Sequence, residues 1–218
     1  MADINKPIKF NNEFLKRISL KTSDPNFKID DWSHDDIKDI RKYIRDYYRD
    51  LTKKCFYCRK EISLQSANNC HIEHLIPKSI NLNFIFEPKN LCVICSDCNE
   101  IKRIKEVENK IDRVTKRKEP YKRYPKSGES FLIVHPHFDN YEDHIFQCED
   151  IYIDLSPKGT YTMYICKLNR KVHKYGIDPL ALSKSELFDL FNKIMNETNF
   201  TKQGTLLNKL RSYFIKAS

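Results

Sequence analysis

Between Cys55 and Lys102 the chain sets thiols, imidazoles, a carboxylate, two carboxamides and an amine at spacings that suit metal chemistry. Cys55-Phe-Tyr-Cys58 and Cys95-Ser-Asp-Cys98 are Cys-x-x-Cys pairs separated by 36 residues. Such pairs fold a loop-rich segment around one tetrahedral Zn²⁺. Cys92 and Cys95 have the same spacing, so the second pair is either Cys92 with Cys95 or Cys95 with Cys98. Cys95 with Cys98 is preferred, because it ends at a helix start and sets Cys98 beside Asn99. Cys92 then faces the core as a small apolar residue. Cys70 reads as a spare thiol, and Cys148 and Cys166 as buried strand residues.

Within this bracket lies His71-Ile-Glu73-His74-Leu-Ile-Pro77. An imidazole such as His74 takes a proton from water near neutral pH. The carboxylate of Glu73 and the amide oxygen of Asn99 suit Mg²⁺ or Mn²⁺, which prefer hard oxygen ligands and keep several waters. Neighbours on a strand face opposite ways, so Glu73 and His74 share one site only if the strand ends or bends there. Pro77 supports a bend. Lys102, three residues after Asn99, shares its helix face and can meet a phosphate or the charge that develops on it. The chemistry this set suits is metal-dependent phosphodiester hydrolysis. His71 reads as a structural hydrogen-bonding residue, not a ligand.

These residues need elements to hold them. Ser33 to about Leu51 has a helical pattern, with Ile37, Ile40, Tyr43, Ile44 and Tyr47 on one face. Its Lys38, Arg41, Lys42, Arg45 and Arg49 form either a nucleic-acid face or a solvated one. Phe10, Phe14, Leu15 and Ile18 suggest a shorter helix before it. Residues 55–95 read as a compact irregular unit with a short strand. A helix is expected from Ser96 or Asp97 to about Lys118. Beyond Pro120, Pro125 and Gly128, strands are expected at Phe131–Val134, Ile145–Leu155 and Tyr161–Cys166, with Pro157-Lys-Gly159 as a turn. Ser183 with Glu186 fits a capping box, ahead of Leu187, Leu190, Phe191 and Ile194. A last helix carries Leu206, Leu207, Leu210 and Phe214.

The chain has 218 residues and a net charge of +9, which favours a polyanionic partner. Residues 100–126 hold eleven Lys or Arg against five acids, +6 of that excess. Tyr121 and Tyr124 sit among them, so the stretch suits backbone tracking with base stacking or is a solvated surface. Only four glycines are present and no G-x-x-x-x-G-K occurs, which argues against nucleotide hydrolysis by this chain. Met1–Pro7 lacks the apolar core of a signal peptide, and no apolar run is long enough to span a membrane. Eight cysteines in such a chain point to metal ligation in a reducing cytoplasm.

The arrangement resembles the HNH (ββα-metal) endonuclease family. Glu73-His74-Leu-Ile-Pro77 is similar to its acid-His-x-x-Pro strand, Asn90-Leu91 to its middle Asn, and Cys95-x-x-Cys98-Asn99-x-x-Lys102 to its zinc-ribbed helix. The match covers about 50 residues. Asn99 stands where the family often has His, and Glu73 where it usually has Asp. The resemblance implies His74 as general base, Glu73 and Asn99 as ligands of the catalytic Mg²⁺ or Mn²⁺, and Asn90 as the residue that fixes the loop and orients His74. It also implies one structural Zn²⁺ on Cys55, Cys58, Cys95 and Cys98. Lys102, Arg103, Lys105, Lys116, Arg117 and Lys118 are the expected nucleic-acid contacts.

The expected fold is α+β: an N-terminal helical segment over 1–52, a ββα-metal core with its zinc over 53–118, and a mixed strand and helix extension over 119–218. In the extension, His135-Pro-His137-Phe-Asp139, His144, Gly159-Thr-Tyr-Thr-Met-Tyr and Leu168-Asn169-Arg170 are similar to the HNH subunits of Septu-type and retron-linked bacterial anti-phage defence systems. There the nuclease accompanies an ABC-type ATPase, which is the implied protein partner. His135, His137, Asp139 and His144 suit either a second metal site or, preferably, a hydrogen-bonded turn. The substrate expected is DNA, with tRNA or other RNA as a variant. The alternative function is a non-catalytic zinc-containing nucleic-acid-binding adaptor.

Overall fold

Lys38 to Thr52 carries Ile40, Ile44 and Tyr48 four residues apart, and this stripe is what the fold is built on. The computed structural model describes residues 1–107, 113–148, 150–175 and 185–215. It is a mixed α+β structure with two small two-stranded sheets. The chain forms two compact units, Met1–Ile145 with Asp154–Lys167, and Phe146–Ile153 with Leu168–Ser218. Boundaries near 52 and 118 therefore fall inside the first unit.

In the first unit, α1 (Asn12–Thr22) and α2 (Lys38–Thr52) precede β1 (His71–His74), β2 (Leu91–Ile94) and α3 (Ser96–Val107). β1 and β2 are antiparallel, with His71 opposite Ile94, Glu73 opposite Cys92 and His74 opposite Leu91. All four residues of β2 are buried, and α2 packs across both strands through Ile40, Ile44 and Tyr48. Each such side chain contributes roughly 1.5–3 kcal/mol when removed from water. The Tyr48 hydroxyl receives the Ile8 N–H at 3.2 Å and donates to the Pro88 carbonyl at 2.7 Å. It thereby ties the N-terminal segment and the approach to β2 onto one helix.

Several elements differ from their sequence expectation. α2 begins at Lys38, not Ser33, because two 3₁₀ turns, Ile29–Ser33 and Asp35–Ile37, come first. α1 buries no residue; ion pairs from Arg17 to Asp39 and from Lys21 to Asp36 tether it to the entry of α2. α3 does not run to Lys118. By Val114 the chain is extended: Leu132 N–H bonds the Val114 carbonyl, Lys116 N–H bonds the Ser130 carbonyl, and Thr115 bridges Phe131. This two-residue-wide pairing replaces the strand expected over Phe131–Val134. Tyr161–Cys166 is helix, not strand: it belongs to α4 (Pro157–Cys166). Ser156 accepts from the Gly159 N–H and Pro157 occupies the first turn, the cap and N1 proline that start helices.

In the second unit, β3 (Ile145–Cys148) and β4 (Ile151–Asp154) form the second sheet, followed by α5 (Arg170–Tyr175), α6 (Ser185–Asn196) and α7 (Phe200–Ile215). Leu190, Ile194 and Leu210 form its core, with Ile153, Phe191, Leu206 and Leu207 against them. The capping residue expected at Ser183 lies outside the described residues. No helix among the described residues is long and apolar enough to cross a membrane.

Tyr48→Phe keeps the ring but strands the Ile8 N–H and the Pro88 carbonyl. It is expected to lower unfolding free energy by about 1–3 kcal/mol, read from urea denaturation at constant zinc.

Candidate active site

Cys55 and Cys58 lie on a tight turn whose following residue, Arg59, is in the left-handed region at φ 57°, and the Arg59 N–H bonds back to the Cys55 carbonyl at 2.9 Å. The Arg59 guanidinium fixes that turn from outside. It pairs with Asp3 at 2.7 Å and sits 3.8 Å from the centre of the Tyr141 ring. Cys95 directly follows β2 and Cys98 lies in the first turn of α3. The four sulfurs are all buried and lie within 4.8 Å of one another, with Cys58 and Cys95 at 3.6 Å. Tetrahedral Zn–S bonds of about 2.3 Å put sulfurs about 3.8 Å apart, so the cluster is compatible with a structural zinc. Hydrogen bonding from the neighbouring thiols holds Cys95 low and Cys58 down at about 7, while Cys55 is pushed up by burial and Cys98 by its thiol neighbours. A dication lets all four ionise together. Among the described residues this is the one metal-ligating group of three or more Cys, His, Asp or Glu. Cys92 is buried opposite Glu73 and stands apart from it. Cys166 is buried at the end of α4, not on a strand; the Cys148 side chain lies outside the description.

Beside the cluster, Glu73, His74, Asn99 and Lys102 line one cavity of about 100 Å³, together with Ile72, Pro77, Lys78 and Arg103. β1 ends at His74, which is why two consecutive residues reach the same space. Asn90 holds the turn that follows. Its Oδ1 receives the Ile76 N–H at 2.8 Å, and its Nδ2 donates to the carbonyls of Ile76 (3.1 Å) and Phe84 (3.0 Å). The next carbonyl, of Ile85, receives the His74 Nε2–H at 3.0 Å. That acceptor assigns the proton to Nε2 and leaves the Nδ1 lone pair as the basic atom. Trp32 packs edge-on against the His74 ring at 4.7 Å. Burial first, then the charges of Lys78 and Lys102, hold His74 well below its ordinary pKa, so the ring is neutral at pH 7.

Glu73 is buried and accepts from the Tyr57 hydroxyl at 3.0 Å; Lys102 Nζ pairs with the same oxygen and lies 3.2 Å from that hydroxyl. Burial opposes the Lys102 charge, but Glu73 outweighs it and raises the lysine's pKa. The half-buried Asn99 side chain makes no hydrogen bond among the described residues. Glu73 and Asn99 thus both offer hard oxygens to the cavity, and Lys102 Nζ rests on the Glu73 carboxylate.

The basic contacts are spread over different settings. Arg103 lines the cavity and pairs with Glu100 at 2.7 Å. Lys116, Arg117 and Lys118 are exposed on a non-helical segment, held where the Tyr121 carbonyl receives Asn81 Nδ2 at 2.8 Å. The side chain of Lys105 lies outside the description. On α2, Arg41 donates to the Trp32 carbonyl and Arg49 and Lys42 pair with Asp46, so three of its five cations serve the fold or a local ion pair.

Tyr57, Trp32 and Lys78 are site residues that sequence reasoning missed. Tyr57 had one signal, shared with Phe56: it is an aromatic between two cysteines of the cluster. The histidines of the extension form a hydrogen-bonded turn. His135 Nε2 meets the Tyr124 hydroxyl at 2.9 Å, its Nδ1 receives the His137 N–H, and Asp139 accepts the His135 N–H. His137 Nε2 donates to the Leu91 carbonyl at 2.9 Å, and His144 meets Ser156. His71 bonds the Asn68 carbonyl at 3.1 Å. No protein-family model, curated protein or solved structure matches the chain.

Two outcomes follow from these sites. Purified protein is expected to hold about one zinc per chain, and Cys58→Ser to lose it together with cooperative unfolding, as measured by atomic absorption and circular dichroism. The second concerns His137, whose pKa burial lowers to about 4, with Lys89 adding to the effect and the Leu91 carbonyl opposing it. The unfolded chain binds this proton more tightly, near pH 6.5. The histidine's contribution is therefore full above pH 6.5 and is lost as pH falls toward 4. Between pH 7 and 5 the parent is expected to lose about 2 kcal/mol more than His137→Gln, compared by urea denaturation.

Proposed function

We propose that the protein is a metal-dependent HNH-type endonuclease, with β1, β2 and α3 as its ββα-metal core. One observation carries the reading: a buried neutral imidazole with a free Nδ1 lone pair, a carboxylate, a carboxamide and an ammonium converge on a single small cavity. Each group has a role in phosphodiester hydrolysis. His74 Nδ1 takes the proton of the attacking water, and the Ile85 carbonyl supports the imidazolium that forms. Glu73 and Asn99 would hold Mg²⁺ or Mn²⁺, which when bound stabilises the developing charge and the leaving oxygen. Lys102, Lys78 and Arg103 surround the phosphate with positive charge. Asn90 keeps the loop that orients His74.

The net charge of +9 and the exposed Lys116–Lys118 segment support a nucleic-acid substrate. DNA is the leading substrate, and structured RNA such as tRNA uses the same phosphate chemistry. An ABC-type ATPase is proposed as the controlling partner. On this reading Met195 and Phe200 of the second unit, 74% and 89% exposed, are apolar side chains that such a partner would cover.

His74→Ala and Glu73→Ala are each expected to lower Mg²⁺- or Mn²⁺-supported cleavage of DNA or tRNA at least ~10²-fold while zinc content and nucleic-acid affinity persist, because affinity comes mainly from Lys and Arg. Cleavage by either variant at the parent rate defeats the assignment. Tight binding without cleavage by the parent, with either metal and either substrate, favours the non-catalytic adaptor.

A further inference from the structure

Tyr57 belongs to the cysteine cluster by sequence and to the cavity by geometry. On the turn it lies between Phe56 and Cys58, its ring is 5.3 Å from that of Phe56, and its side chain is fully buried. Its carbonyl receives the Tyr141 hydroxyl at 2.7 Å. At the other end, its hydroxyl donates to Glu73 Oε1 at 3.0 Å and lies 3.2 Å from Lys102 Nζ, while Lys102 pairs with that same Oε1. The ammonium also sits 5.2 Å from the centre of the Tyr57 ring. A two-residue loop between two held sulfurs has few conformations open to it, so the cluster's closure sets where this phenol ends.

We propose that Tyr57 is a positioning residue through which the four-cysteine cluster sets the divalent-cation affinity of Glu73. The inference rests on the reading of Glu73 as a cation ligand. Two effects act in the same direction. The phenol holds a flexible carboxylate in one orientation, so a cation meets it without an ordering cost. It also offers the Lys102 ammonium a second acceptor, which lessens that ammonium's hold on Oε1. Without the hydroxyl, Glu73 loosens and Lys102 falls back on it, and both changes weaken cation binding. Lys102 acts oppositely, since its positive charge repels a cation at the shared oxygen.

The experiment is a Mn²⁺ titration followed by electron paramagnetic resonance, on zinc-loaded full-length protein without nucleic acid. Tyr57→Phe is expected to weaken Mn²⁺ binding about tenfold with zinc content at the parent value. Lys102→Met is expected to tighten it. Opposite signs are the signature of positioning, because general loosening of the cavity weakens both. Affinity within twofold of the parent in zinc-retaining Tyr57→Phe overturns the inference, and so does weakening in Lys102→Met. Loss of zinc in Tyr57→Phe also overturns the inference, because the hydroxyl is then a requirement of the cluster and not the link from the cluster to Glu73. Glu73→Gln separates this inference from the reading beneath it. Undiminished Mn²⁺ binding there refutes Glu73 as a ligand, whereas loss there with none in Tyr57→Phe refutes only the coupling.

Discussion

The sulfurs of Cys58 and Cys95, 37 residues apart in the chain, meet at 3.6 Å, and the architecture around the cavity depends on that meeting. β1 and β2 have four residues each, too few to be stable as an isolated pair. α2 covers one face of them with its isoleucines and Tyr48. The other requirement is a fixed start for α3, and the cysteine cluster provides it. Once Cys95 and Cys98 are held, Asn99 and Lys102 have fixed places on the first turns of the helix. Once Cys55 and Cys58 are held, the Tyr57 hydroxyl has a fixed place against Glu73.

The cavity shows an arrangement that stability alone does not favour. A buried carboxylate and a buried ammonium each lose hydration, and their attraction seldom repays it fully. Apolar residues at positions 73 and 102 would pack the same space at less cost. His74 is likewise buried beside cations that oppose its protonation. Shifted groups such as His74 and Lys102 in one cleft suit the acid–base and phosphate chemistry proposed. Around them the support is ordinary and dense: Asn90 makes three hydrogen bonds to the loop backbone, and Trp32 closes the imidazole from the side.

Not every charged residue is available for a polyanion. Arg41 and Arg49 are used within the first unit, whereas Lys116–Lys118 stand free of the core on a short segment anchored by Asn81. The +6 stretch, expected to be helical to about Lys118, leaves the helix earlier in the fold. Lys102 and Arg103 are at the cavity and Lys116–Lys118 are on a non-helical segment, where Val114 and Thr115 pair with residues 130–132. β-branched residues fit such pairing better than a helix end, a preference that a count of charges does not register.

The sequence by itself determined the four-cysteine set, the isoleucines of the α2 stripe, though Tyr48 and not the expected Tyr43 is buried with them, and the apolar positions of α6 and α7. Each is encoded locally, by x-x spacing or by a 3.6-residue period, and local geometry carries it into the fold. It also carried a helix signal at Ser156-Pro157 that β-propensity at Tyr161–Cys166 obscured; capping is specific, whereas propensity yields to context. Only the tertiary structure decided how Glu73 and His74 share a cavity. That follows from the end of β1 and from Asn90, 16 residues on from His74, holding the loop whose Ile85 carbonyl takes the imidazole proton. It likewise decided that Tyr57 and Trp32 are site residues. Their contacts join positions 16 and 42 residues apart, and a separation of that kind leaves no periodic trace in the chain; it is fixed by packing once sulfurs, strands and helix have closed on one another.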